Sequence, residues 1–505
     1  MSENINTTFD LDEHGKPYNK LMIMVVILLA TFAGALMQTS LGTALPTLMK
    51  DFNIDFSTAQ QATTWFLLAN GIMVPLSAYL ATRFSTKWLH VIAYAILLIG
   101  LILTAMAPSN SDSWIIFLIG RIVTAIAVGL MMPLMQIIII NMFPPNKRGT
   151  AMGLSGLAVG LAPALGPTFA GWILNKDHII LGLTISDSWR NIFVIPIIIV
   201  VIAFLLSFIF MKDVIPNRKI KLDIWSLILS SLGFGLFLWS FSNVSSEGWG
   251  SISYVILPLI ISVLLIGWFC MRQFKLDDPF LDLCVFKSKG FVIATIGLIV
   301  VTMAMYGVEM MLPTYLQNIH GFSPFESGLT LLAGALMLGF ISPISGALYN
   351  KIGIKRLAFV GFLILSLASL PFGFLTDTTS PSLILVLYSI RMFGVALIMM
   401  PLTTNAMDAL PTKMGTHGTA ANNTARQVAS SIAVALLTSI TQNMINNHMP
   451  AKNLKDANPL LYAEHAQHAS IDGFNTAFLI GVAFAVIGLI IVPFLKMNHS
   501  ESEEN

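Results

Sequence analysis

The sequence predicts an all-α polytopic membrane protein. Three observations carry that expectation: an extreme apolar composition, a series of apolar runs each long enough to cross a bilayer, and a one-sided distribution of basic residues. Of the 505 residues 56% are hydrophobic and only 10% are charged, and the mean hydropathy is +0.80. A soluble chain of this length cannot keep such a surface in water. The formal net charge of +2 points to no nucleic acid or acidic partner; the placement of the charges is what informs.

A spanning helix needs roughly 20 apolar residues. Runs that meet this lie near 21–42, 60–81, 88–107, 114–140, 150–174 and 190–211, then near 223–243 and 253–272, then near 291–313, 325–349, 355–375, 382–408, 418–441 and 474–495. That is fourteen segments in a 6+2+6 order. Barrel strands would alternate over about 10 residues, whereas these runs are continuous and twice as long. The expected organisation is a cytoplasmic tail 1–20, a six-helix half 21–211, two inserted helices with their linkers 212–289, a second six-helix half 290–496, and a tail 497–505. The polar, acidic stretch before residue 21 leads into an uncleaved first helix, because the run after it is too long for a secretory signal and lacks a small-residue cleavage site.

Basic residues collect in cytoplasmic loops. With the N-terminus inside, the outer segments hold only Lys50, Lys176, Arg190, Lys452 and Lys455 of the 27 Lys and Arg, and Arg121 and Arg391 fall within spans. The rest, Arg426 among them, count as cytoplasmic, which places both termini inside. Cys270 and Cys284 are the two cysteines and form neither a disulfide framework nor a CxxC metal site. His448, His465 and His468 fall in an expected outer loop near 442–473, read as solvated and not as a metal site.

The chain repeats itself. Val74–Leu89, after the second segment, matches Ser342–Leu357, after the tenth, without a gap: Pro75 pairs with Pro343, Ser77 with Ser345, Arg83 with Lys351 and Lys87 with Lys355. Leu45–Thr47 echoes Leu312–Thr314, and Arg121 echoes Arg391. Parallel halves related along the membrane normal are an architecture in which a solute binds between repeats and access alternates by rocking. On the fifth segment Gly153, Gly156, Gly160, Ala164, Pro167 and Gly171 recur every three or four residues, leaving a face that lets another helix approach closely.

These features together identify the chain as similar to the major facilitator superfamily, in its fourteen-helix drug:proton antiporter branch. The antiporter motif on the fifth segment reads Gly153, Ala162, Gly166-Pro167 and Ala170-Gly171, with Ala162 and Ala170 in place of two glycines. Phe143–Gly153, Trp189–Phe193, Pro279–Asp282, Leu312–Gln317 and Asn423–Gln427 resemble the branch in order along the chain. The resemblance implies the major facilitator fold, an exporter of amphiphilic or cationic drugs, and cytoplasmic gating loops around Arg83, Lys87, Lys351, Gly353 and Lys355. It implies no cofactor beyond the proton gradient, small amphiphilic substrates and protons as partners, and a monomer in the cell membrane. Two departures stand out. Thr82 occupies the usual acidic position of the first gating loop, and Met37 the position of an Asp common on the first helix.

Of the 25 Asp and Glu, only Glu309 falls well inside an apolar run. An ionised group there costs on the order of 3 kcal/mol, so intramembrane charges are functional by default. A carboxyl kept from water favours its neutral form, which suits proton exchange. Glu309 is the expected coupling site, with Arg121 and Arg391 as buried cations that modulate it or act as hydrogen-bonded struts. Asp408, at the cytoplasmic end of the twelfth segment, is a second candidate or a solvated helix-end charge. Gln38, Trp65, Phe66, Asn70, Tyr306, Asn405 and Asn422 are the expected cavity residues. An ATP-driven pump would need a Gly-rich phosphate loop, which is absent, and a membrane enzyme would need clustered catalytic groups. An exporter of one endogenous metabolite or lipid precursor, or a non-transporting sensor, stays open.

Overall fold

Apolar side chains along nearly every helix leave the backbone only one way to satisfy its polar groups in lipid, through internal helical hydrogen bonds. The computed structural model describes residues 10–11, 15, 17–54, 56–156, 161–180, 183–215, 223–276, 279, 281–411, 414–450 and 452–497. Gly160, the predicted cytoplasmic residues Lys16, Arg218, Lys219, Lys221 and Lys413, and most of both expected tails lie outside these.

All fourteen predicted segments are helical. The first half comprises α1 (Lys20–Thr39), its continuation α2 (Leu41–Phe52), α3 (Phe56–Arg83), α4 (Thr86–Ala105), α5 (Trp114–Met142), the fifth segment as α6 (Pro145–Gly156) and α7 (Ala162–Asn175), and α8 (Asn191–Phe210). The inserted pair is α9 (Ile224–Glu247) and α10 (Leu257–Gln273). The second half is α11 (Lys289–His320), α12 (Pro324–Ile352), α13 (Ile354–Ser369), α14 (Pro381–Asp408), α15 (Gly415–His448), the short α16 (Lys452–Ala457) and α17 (Pro459–Ile491). Twelve helices among the described residues are long and apolar enough to cross a membrane. The other two predicted spans are α3 and the α6–α7 pair.

Two short hairpins interrupt the helical pattern, β1 (Asp10–Leu11) with β2 (Pro17–Tyr18) and β3 (His178–Ile180) with β4 (Leu183–Ile185). The expected outer loop near 442–473 is largely helix. Polar residues at the ends of α15 and α17 stop the apolar runs without stopping the helices, so His448, His465 and His468 sit on exposed helical surface. No group of three metal-ligating side chains occurs among the described residues.

The inserted pair is a hairpin of its own. Asp223 caps α9 through Ser226 N (3.3 Å) and receives a two-pronged bond from Arg272 at 2.8 and 2.9 Å. Gln273 bonds Ser226 at 2.6 Å. Helix α9 lies along the seam where α3 of the first half meets α15 of the second. Trp239 packs on Trp65 with centroids 5.4 Å apart, and Gly71 and Gly235 let Leu238 and Ile72 close the crossing. The second seam brings α6 and α7 directly against α12.

Candidate proton and substrate site

Each half buries one arginine at the same place. Arg121, on α5, is fully buried, donates from Nη1 to the Met37 carbonyl at 3.0 Å and holds its guanidinium 4.2 Å from the centre of the Phe66 ring. Its Nε and Nη2 have no hydrogen-bond partner. Arg391, on α14, is equally buried and donates to the carbonyls of Ala304 and Met305 on α11 and to Ser369 Oγ. Met37 stands nine residues before Pro46, and Ala304 nine before Pro313. The two arginines therefore grip corresponding carbonyls of corresponding helices. In the first half the gripped residue is Met37, where the resemblance leads one to expect an Asp, and what it offers Arg121 is its backbone carbonyl.

The second half has its carboxyl one turn further along α11. Glu309 Oε2 is buried without a hydrogen-bond partner, and Arg391 lies within electrostatic reach. Tyr306 and Tyr388 face the same carboxyl. The Tyr388 hydroxyl is buried without a partner, and its ring fills the space where a side chain at Gly334 would stand. Tyr306 also lies within reach of Arg426. The sequence reading set Arg426 among cytoplasmic residues. The structure instead places it about three turns inside α15, with a buried, unpartnered Nε. Its position within the predicted run 418–441 was the available signal, overridden by assigning every basic residue near a span end to a loop. Tyr388 sits among apolar neighbours and offered no signal.

Of the expected cavity residues, Phe66 and Asn70 are buried beside Arg121 or its helix, Gln38 is half-buried next to Met37, and Tyr306 joins the Glu309 cluster. Asn422 is buried on α15 with an unpartnered Oδ1. Trp65 packs on the inserted helix, and Asn405 belongs to a different cluster. Tyr349 OH lies 3.0 Å from Asn405 Oδ1 and 3.1 Å from Asp408 Oδ2. Asp408 is only 9% exposed, so it is no solvated end charge, and Arg148 of α6 lies within its electrostatic reach. Nearby Asn423 Nδ2 donates to Gln136 Oε1 at 2.8 Å, joining α15 to α5. Of these contacts, the Asn423–Gln136 bond and the attraction between Arg148 and Asp408 join the two halves.

The small-residue face of the fifth segment divides its work. A Cβ at Gly153 would fall inside contact distance of the Pro343 backbone and 2.8 Å from Ser342 O; one at Gly156 would meet Ser342 and one at Gly171 Phe325, all on α12. Gly166 faces its own half, where a Cβ would stand 2.9 Å from Leu36 O and Ser40 N. Ala162 is fully buried, and the Pro167 carbonyl accepts from Thr43 Oγ1 at 3.3 Å.

The two loops expected to gate differ in kind. In the first, Ser85 Oγ and Lys87 N both bond Asp213 Oδ1, at 2.6 and 3.1 Å, and Lys87 Nζ reaches Phe208 O at 2.9 Å. A carboxylate from the end of α8 thus caps α4, while Arg83 is exposed. In the second, Gly353 takes φ +83° and ψ 154° between α12 and α13, and Lys351 and Lys355 are exposed.

Two six-helix halves with a buried arginine in each and an interior carboxyl in one make a polytopic, all-helical architecture long and apolar enough to cross a membrane. The sequence profile of the Major Facilitator Superfamily matches residues 27–434, and the chain belongs to that family. It is 40% identical to the MFS-type transporter YcnB of Bacillus subtilis, covering 97% of this chain and 98% of that one. It is 37% identical to the lincomycin resistance protein LmrB of the same species, over 95% and 96%, and 27% identical to the multidrug export protein EmrB of Escherichia coli, over 90% and 87%. Among solved structures the proton:xylose symporter XylE shares the fold, with a TM-score of 0.58 at 16% identity over 93% of this chain and 95% of that one.

Proposed function

We propose that the protein is a proton-coupled antiporter that exports amphiphilic or cationic compounds across the cell membrane by rocking its two six-helix halves about the inserted pair. Glu309 is the observation that carries this reading. It is a carboxyl with one buried, unsatisfied oxygen, within electrostatic reach of Tyr306, Tyr388 and an arginine that cannot give up its charge. Ionised, it attracts a cationic group on the substrate; protonated from outside, it releases that group. Competition between proton and substrate for one carboxyl is antiport. The names of LmrB and EmrB support a drug-like substrate, and the distribution of Lys and Arg supports cytoplasmic termini. The gradient supplies the energy, so no cofactor is required, and one chain holds the whole site.

Arg426 favours a second reading. A fixed cation beside Tyr306 suits one metabolite with an oxygen-rich group better than a series of greasy drugs. Proteoliposomes with an internal pH dye test both. With Glu309→Gln, gradient-driven accumulation disappears while substrate-for-substrate exchange continues. Undiminished concentrative transport by Glu309→Gln would overturn the coupling role. Transport confined to a polar metabolite, lost in Arg426→Gln, would select the second reading.

A further inference from the structure

The two gating loops are copies of one another, yet the charge that meets them is opposite. In the first half Asp213, just after the last helix, caps the following turn. In the second half the chain just after the last helix carries Lys496, and instead of a capped turn there is a cavity of about 590 Å³. Lys355, Arg356 and Lys496 line it together with Met497. A smaller cavity of about 150 Å³ shares Lys496 and adds Lys289 and Phe494. Among the described residues no acidic side chain lines either one. Four cations thus gather around two cavities that share Leu495 and Lys496, at the membrane-surface end of α13 and α17.

The walls just below are apolar and open to the bilayer: Phe494 is 64% exposed, Phe359 50% and Ile352 40%. A hydrated ion alone gains nothing from that apolar skirt. A phosphate carrying acyl chains satisfies both parts, with its anion among the cations and its chains along the exposed α13 and α17 surfaces. Basic pockets between helices on the cytoplasmic side suit such head groups.

We infer that this cavity binds the phosphate of an anionic phospholipid from the cytoplasmic leaflet, which there plays the part that Asp213 plays in the first half. The leaflet assignment rests on the proposed cytoplasmic position of the C-terminus. Bound lipid ties the second gating loop to the end of α17.

Native mass spectrometry and thermal unfolding of the intact protein in nanodiscs of phosphatidylglycerol or phosphatidylcholine test the inference. Wild type retains phosphatidylglycerol preferentially. Each charge removed weakens retention about fivefold, so the Arg356→Gln, Lys496→Gln pair loses about 25-fold. A pair outside the cavity, Lys275→Gln with Lys287→Gln, retains the lipid as wild type does. Equal retention of both lipids by wild type, or equal loss in both pairs, would overturn the inference by reducing it to general surface charge. If neutralising Glu501, Glu503 and Glu504 creates a phosphatidylglycerol preference that wild type lacks, the chain's own acidic end is the occupant and the lipid is not. Labelling of Lys496→Cys by an impermeant maleimide in oriented vesicles reads the sidedness separately. External labelling moves the site to the other leaflet without touching the binding result.

Discussion

Gly153 is where one methyl group should change how often the protein is open. It stands on α6, and a Cβ there meets the Pro343 backbone and Ser342 O of α12. Backbone cannot rotate away as a side-chain tip can, so Gly153→Ala forces the two helices apart. Overpacking of this kind costs about 1–3 kcal/mol. The penalty exists only while α6 and α12 touch at this end, and these helices belong to opposite halves. It therefore acts on the conformational equilibrium more than on folding, disfavouring the closed end about 5- to 150-fold. Spin labels at the exposed positions Lys147 and Lys351 report the separation by pulsed electron paramagnetic resonance. Gly153→Ala should transfer population to the longer distance, and Gly153→Val should complete the transfer. Gly267 on α10 supplies the control: a Cβ there meets nothing within 4 Å, so Gly267→Ala leaves the distances unchanged and gains up to about 1 kcal/mol in helix propensity. An unchanged distance distribution in both Gly153 variants, in folded protein, would refute the idea that this face is a moving contact between halves.

Two further outcomes follow from groups at helix ends. Burial works to raise the Asp223 carboxyl, but hydrogen bonds from Arg272 and Ser226 outweigh it and hold the group below the usual carboxylate range. A depressed folded pKa stabilises the protein above the unfolded value of about 3.9, and that contribution is lost as pH falls through the folded value. Asp223→Asn should thus melt earlier than wild type between pH 5 and 8, as about one pairing is lost there, with the gap closing in acid below about pH 4; a gap constant with pH would refute the assignment. At the two gating loops, Gly353→Ala should destabilise by about 1–3 kcal/mol because φ +83° with ψ 154° is open almost only to glycine. Ser85 sits at φ −50°, and its hydroxyl donates to Asp213 and accepts from Trp88 N at the start of α4, so Ser85→Ala loses a helix cap with its Asp213 bond but meets no backbone strain, about 1 kcal/mol. Chemical unfolding of both variants checks the ordering.

The spans were legible because lipid imposes a length and a composition on every helix, and the repeat because gene-scale symmetry survives in Pro75 and Pro343 or Arg121 and Arg391. What escaped were features decided by partners far away in sequence. Nothing near Ser85 announces that Asp213, more than a hundred residues on, takes its hydroxyl proton and the Lys87 amide in hydrogen bonds. The apolar runs stop where hydrocarbon stops, whereas α15 and α17 continue as polar helix. Arg426 was misplaced because a charge near a span end usually belongs to a loop, and only the packing of α11 on α15 brings Tyr306 to it.

The repeat also separates scaffold from chemistry. Arg121 and Arg391 hold the matching carbonyls of Met37 and Ala304, so the grip of the fourth helix on the first is common to both halves and needs no acid. Where the copies differ, a charge differs. The first half meets its arginine with the Phe66 ring, whose attraction for a cation does not change with pH. The second half sets Glu309 near its arginine, and a carboxyl can gain or lose a proton. On the proposed function, a rigid cation–ring contact in one half and a titratable group in the other would make the halves unequal in their response to the gradient. Moving the acid to the first half, by Met37→Asp in a Glu309→Gln background, tests whether position or half matters. Recovery of gradient-driven transport would show that either arginine can serve a carboxyl. Failure, with exchange intact, would tie coupling to the tyrosines and Arg426 that only the second half provides.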